Sequence, residues 1–62
     1  MIYVFLADGF EEIEALTAVD ILRRAEYEVK TVGVGTKQVT GAHGITVAAD
    51  LEEKDVTTDD LV

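Results

Sequence analysis

The first apolar run, residues 2–6, is the clearest secondary-structure signal in the sequence. All of its side chains are apolar or aromatic, so the strand that it predicts would be covered on both faces, as in the middle of a parallel sheet. Asp8 and Gly9 end the run. Apolar residues then recur at helical spacing and predict a helix over residues 11–25, with glutamates at its start and arginines at its end, as the helix dipole favours.

A second apolar run predicts another strand over residues 28–34. A strand, a helix and a strand in this order form a βαβ unit, which is right-handed in nearly all proteins. Residues 35–38 are typical of a turn, and short strands are predicted at 39–40 and 45–48, on either side of a glycine-flanked loop. The chain is therefore predicted to be α/β with a mainly parallel sheet.

The C-terminal part of the sequence is acidic over residues 50–60, which indicates a loop or a short helical turn. Leu61 and Val62 predict the start of a further apolar strand. We therefore expect residues 1–62 to be the N-terminal portion of a single domain. A hydrophobic fraction of 48% supports this expectation, since so short a chain buries little apolar surface by itself.

Composition and charge exclude several function classes. The chain has no cysteine for a disulfide and one histidine, too few for an ordinary zinc cluster. Its net charge of -8 argues against nucleic-acid partners and against anionic membrane surfaces. It has neither a signal peptide nor an apolar run of the roughly 20 residues that a membrane span needs. We expect a cytoplasmic protein.

Glu14 is the candidate catalytic residue. At roughly 100° per residue, the helix places it between Ile21 and Ala25, on the apolar side. A carboxylate near a core is costly unless it is hydrogen-bonded, and its environment suits a proton donor or acceptor. The structural alternative, a side chain that reaches past the helix edge or caps a backbone N–H, has equal weight. The other residues on this side are Ala15, Ala18, Val19 and Leu22.

Other polar residues carry weaker signals. His43 lies in the glycine-flanked loop and is either a surface histidine or a contact for an anion or substrate. Asp8, Glu11 and Glu12 could hold magnesium, but acidic residues at a helix N-terminus are the favoured interpretation. A GxG at Gly33 lacks the third glycine of the dinucleotide fingerprint and does not follow the first strand, which argues against dinucleotide binding.

Two stretches together resemble one protein family. Residues 6–14 read LADGFEEIE and are followed by TAVDILRRA at 17–25. This combination resembles the opening of the DJ-1/ThiJ/PfpI family, and GAHGITVAAD at 41–50 resembles the family's next loop and strand. The resemblance covers nearly all 62 residues. It implies a flavodoxin-like α/β sandwich of the class I glutamine amidotransferase type.

The resemblance also implies a function. Glu14 matches the last glutamate of the family motif, which assists a cysteine on a nucleophile elbow, and that cysteine would lie in the remainder of the protein. The implied enzyme acts on small aldehydes, as a glyoxalase or deglycase, without cofactor or metal. Gly9 and His43 are the implied substrate contacts, and the loop of His43 would lie near the neighbouring subunit's site in a homodimer.

Two rival functions share this beginning of the fold. The first is a non-catalytic redox-sensing or chaperone-like protein of the same family. The second is a receiver-like or flavin-binding flavodoxin domain, which residues beyond Val62 would distinguish. The 62 residues alone contain no complete catalytic site.

Overall fold

The computed structural model describes residues 1–56, so the strand predicted at Leu61 and Val62 lies outside the described residues. Five strands, one α-helix and a short 3-10 turn follow one another along the chain. In order they are β1 (Ile2–Leu6), α1 (Glu12–Arg24), β2 (Val29–Gly33), β3 (Gln38–Thr40), β4 (Thr46–Ala48), β5 (Leu51–Glu52) and the 3-10 turn Glu53–Asp55.

The main sheet has three strands in the order β1-β2-β5. β1 and β2 are parallel, with Ile2 opposite Val29 and Leu6 opposite Gly33. β5 pairs in parallel with the other edge of β2. The predicted βαβ unit and parallel sheet are therefore confirmed. The sequence did not predict β5, because two residues are too few to form an alternating pattern and their neighbours are acidic.

β3 and β4 form a separate antiparallel hairpin, in which Val39 lies opposite Val47. Its strands are close to those predicted, but Ile45 stays in the connecting segment, which we call the 41–45 loop. The hydroxyl oxygens of Thr40 and Thr46 lie 2.8 Å apart across the hairpin. Val39 is fully buried, which ties the hairpin to the core.

The core is small, and α1 covers it with one stripe of side chains. Glu12 and Val19 are the buried residues of the helix, and Ile21 is 58% exposed. The apolar side predicted from the sequence is therefore only partly buried, because the helix is turned toward its Glu12 edge. No helix among residues 1–56 is long and apolar enough to cross a membrane. The buried apolar residues are Leu6, Val19, Val29, Val32, Val39 and Ala49.

Asp50 fixes the C-terminal end of α1 to the sheet. Its Oδ2 accepts hydrogen bonds from the Arg23 guanidinium (2.7 Å), the Thr31 backbone N–H (2.9 Å) and the Thr31 hydroxyl (3.1 Å). Arg23 also donates to the carbonyl of Val29 (3.0 Å). The Thr31 N–H is the main cause that lowers the pKa of Asp50, against a smaller opposing effect of burial. The last turn of α1 is thus held against β2.

Candidate functional site

The turn between β1 and α1 is bound to the hairpin at several points. Gly9 has a φ of 90°, in the left-handed region that favours glycine, and its N–H donates to the carbonyl of Thr40 (2.8 Å). The Asp8 carboxylate accepts from the Thr40 N–H (3.1 Å). Ala42 donates its N–H to the carbonyl of Phe10 (2.8 Å). The turn and the 41–45 loop therefore form one surface.

Glu11 begins the helix. Its backbone is extended, and its side chain accepts a hydrogen bond from the N–H of Ile13 at 3.2 Å, so it is the N-cap. Such a bond satisfies one of the N–H groups that the first helical turn leaves free. The carboxylate therefore has the helix-terminal role that the sequence favoured over a magnesium ligand.

Glu12 is the central residue of this surface, and only 3% of it is exposed. Its Oε2 accepts from the backbone N–H groups of His43 (2.8 Å) and Ile45 (3.3 Å). Its Oε1 lies 2.9 Å from Nδ1 of His43. A Cβ on Gly41 would overlap the Glu12 carboxylate, so the glycine provides the space for this side chain. Residues 31 or more positions apart in sequence thus meet at one carboxylate.

The contact makes both side chains favour their charged forms. Burial raises the pKa of Glu12, but hydrogen bonds from the side chain and backbone of His43 and from Ile45 outweigh it and lower the pKa to about 2. The hydrogen bond to Glu12 raises the pKa of His43, helped by the negative charges of Glu12 and Glu11. Glu11 Oε2 lies 3.9 Å from His43 Nδ1. The result is an ion pair with one buried and one exposed member.

The side chains of Glu11, Glu12 and His43 also lie close enough together to be a candidate metal site. One ligand atom each from Glu11, Glu12 and His43 lies within 4.8 Å of the others. However, Glu12 Oε1 already contacts His43 and Oε2 accepts from two backbone N–H groups. A metal would have to displace His43 from Oε1. The arrangement is therefore that of an internal ion pair that holds the loop.

Glu14, the candidate catalytic residue, lies away from this cluster. It is exposed and, two positions after Glu12, projects roughly 200° around the helix from it. It shares its face with Ala18, Ile21 and Ala25, which are also exposed. Among residues 1–56, the structure brings Gly9 and the His43 loop together but does not bring Glu14 to them.

Sequence reasoning missed Glu12, although a signal for it existed. On the helical wheel, Glu12 and Glu14 lie at the two edges of the apolar side, so either edge could have faced the core. Glu12 is also in register with Val19, which is buried. Its partners in the 41–45 loop decide the outcome, and these partners are distant in sequence.

Three comparisons with known proteins bear on this arrangement. The sequence profile of the DJ-1/PfpI family matches residues 1–62. Among solved structures, a cysteine-to-alanine mutant of the DJ-1 superfamily protein STM1931 from Salmonella typhimurium is 40% identical, with a TM-score of 0.79 over 82% of this chain. The VC2308 protein is 34% identical, with a TM-score of 0.86 over 94% of this chain. No curated protein matches the chain.

These similarities confirm the predicted flavodoxin-like α/β fold. The chain spans 28% and 30% of the lengths of these two solved proteins.

Proposed function

Because the chain belongs to the DJ-1/PfpI family, we propose that it supplies one side of a cysteine-dependent, cofactor-independent site for small aldehydes. Glu14 is the catalytic residue of this side, and the cysteine comes from the remainder of the protein. The observation that carries the proposal is the surface around Glu14. An exposed carboxylate lies there among exposed apolar side chains on a helix that is fixed at both ends.

The surroundings of Glu14 suit a site that is completed by more protein. Ile21 is exposed beside it, with Ala18 and Ala25 on the same face. Covering such apolar surface is favourable, by roughly 25 cal/mol per Å². The cover would also remove water from Glu14, so its carboxyl group would need a hydrogen-bond partner on the covering segment.

The proposed chemistry follows from these surroundings. A thiolate at neutral pH needs hydrogen-bond donors or positive charge nearby, and a protonated Glu14 donates to the sulfur. The thiolate then adds to the aldehyde carbon, the C=O π bond breaks toward the oxygen, and this oxygen takes the proton of Glu14 to give a hemithioacetal and a Glu14 carboxylate. This chain has no cysteine, which is why the nucleophile is assigned to other residues.

We also propose Gly9 and His43 as substrate contacts, in a homodimer. Glu14 and His43 face different sides of α1, so His43 would contribute to the site of the neighbouring subunit. Its side chain is 67% exposed and therefore accessible to a ligand. Ile45, two positions after His43, is exposed and offers apolar surface for a second copy.

Alkylation of the cysteine tests the role of Glu14. Iodoacetamide reacts with the thiolate, so the pH midpoint of the reaction reports the thiol ionisation. We expect Glu14→Leu in the complete protein to shift this midpoint, because the sulfur loses its donor, and Glu14→Gln to shift it less. Glu28→Leu is the matched control, since Glu28 is exposed and outside this surface. An unchanged midpoint in Glu14→Leu would refute the coupling.

Turnover of methylglyoxal tests the substrate class separately. The proposed enzyme consumes the aldehyde, and Glu14→Leu lowers the specificity constant by far more than Glu28→Leu. A protein that shows the Glu14-dependent alkylation midpoint but consumes no aldehyde would instead support the redox-sensing or chaperone-like alternative.

A further inference from the structure

We propose that Glu12 and His43 form a proton-controlled clasp, which holds the 41–45 loop against the start of α1 while His43 is protonated and loosens when it is not. The clasp is independent of the aldehyde chemistry proposed above. It depends on a buried carboxylate with three loop donors around it. Two of those donors are backbone N–H groups, and the third is the His43 imidazole, whose charge depends on pH.

Several contacts attach the 41–45 loop to the start of α1, and one of them depends on pH. Bonds such as Gly9 N–H to Thr40 and Ala42 N–H to Phe10 join backbone groups and do not titrate. The contact between Glu12 Oε1 and His43 Nδ1 does depend on pH, because the imidazole is charged only when it is protonated. When His43 loses its charge, the buried carboxylate keeps its two backbone donors but has no counter-charge, which is a costly state for a buried anion.

Gly41 supports the clasp through packing. The glycine is buried, and the Glu12 side chain fills the space where a Cβ would be. Its φ is outside the left-handed region, so space rather than backbone conformation accounts for the glycine. The loop is thus shaped around the Glu12 carboxylate.

The charged groups at this junction define the direction of the pH effect. Glu12 and Glu11 from the start of α1 both attract the imidazole, and Asp8 from the preceding turn is bonded to Thr40 N–H. A histidine whose pKa is raised by its partner stabilises the closed state below its ordinary value of 6.5, and this contribution is lost as the pH rises through the raised value. The loop therefore loosens on the alkaline side.

Hydrogen exchange of single amides in the complete protein tests the clasp. The probes are the amides of His43 and Ile45, which donate to Glu12, and the reference is the Val34 amide, which donates to Leu6 in the sheet. We expect the protection factors of the two probes to fall severalfold between pH 5.5 and 8.5. Val34 should not follow this fall.

Four variants separate the clasp from general stability. Glu12→Gln and His43→Asn should each abolish the pH dependence at the probes, whereas Glu11→Gln, which removes the more distant carboxylate, should keep it. Gly41→Ala should lower protection at every pH, because the new methyl group displaces Glu12. If Glu12→Gln also lowers the protection of the Val34 amide, this variant has unfolded. The pH dependence in His43→Asn then tests the proposal. Protection that does not vary with pH in the wild type, or varies equally in His43→Asn, would overturn the proposal.

Discussion

Glu12 and Glu14 are two positions apart on one helix, and their surroundings are opposite. Glu12 is buried, and the 41–45 loop satisfies its carboxylate with three donors. Glu14 is exposed, and its carboxylate has no hydrogen-bond partner among residues 1–56, although Ala18, Ile21 and Ala25 share its face. The comparison separates a carboxylate that completes the structure of this chain from one that is available for chemistry with another segment.

The largest expected effect concerns the face that carries Glu14. Expressed alone, the 62-residue chain should give a weak near-UV circular dichroism signal and no cooperative melt, because so small a core does not offset the entropy of ordering the chain. The complete protein, melted in parallel, is the control. A sharp two-state transition of the monomeric 62-residue chain would show that the Glu14 face needs no cover.

Ile21 distinguishes a covered face from a free one. In the complete protein, Ile21→Lys should lower the free energy of unfolding by about 2–3 kcal/mol, because a charge would be placed beneath the covering segment. Urea denaturation measures the change, and Tyr27→Lys, equally exposed at 58%, is the matched control. A loss below about 0.5 kcal/mol, as at ordinary surface positions, would mean that the face with Glu14 and Ile21 stays in solvent.

A His43 variant tests whether the surface formed by Glu12 and the 41–45 loop also contacts the substrate. We expect His43→Ala to lower the specificity constant for methylglyoxal about tenfold, a loss of ~1.4 kcal/mol in transition-state stabilisation. Steady-state kinetics of the complete protein measure the change, with His43→Asn alongside. An unchanged constant would leave His43 with the structural role alone.

The smallest expected effect is the pH dependence of stability, and it compares the two glutamates directly. The Glu12 contribution is present above its ordinary pKa of 4.5 and is lost as the pH falls toward about 2, whereas that of His43 is lost as the pH rises through its raised pKa. The pair therefore stabilises most between about pH 4.5 and 6.5. Denaturant midpoints across pH should lose this maximum in Glu12→Gln and keep it in Glu14→Gln.

Local patterns in the sequence were sufficient for the elements that form the βαβ unit. The apolar run of β1, the periodicity of α1 and the alternation of β2 each act over neighbouring residues, so they could be predicted within one or two positions. β5 could not be predicted, since its two residues become a strand only by pairing with β2. Its formation depends on the sheet beside it.

In the candidate site, too, local patterns predicted one part and contacts distant in sequence determined the other. The helical wheel grouped Glu14 with Ile21 and Ala25 on a side expected to face a core, but among residues 1–56 this face is exposed. The chemical role of Glu14 stays a prediction. The wheel could not show that the helix is rotated toward Glu12, because this rotation depends on hydrogen bonds from the 41–45 loop. The space over Gly41 is equally invisible in a local pattern.

The bonds at the two ends of α1 have a further consequence for its mobility. Glu12 anchors the first turn to the 41–45 loop, and Arg23 anchors the last turn to Asp50 and Val29. A rod that is fixed near both ends cannot roll about its long axis without breaking one of these attachments. The direction of Glu14 is therefore set by groups that it never touches. A segment that binds this face would meet a helix whose backbone is already positioned, so only the side-chain rotamers of Glu14 would remain to be ordered on contact.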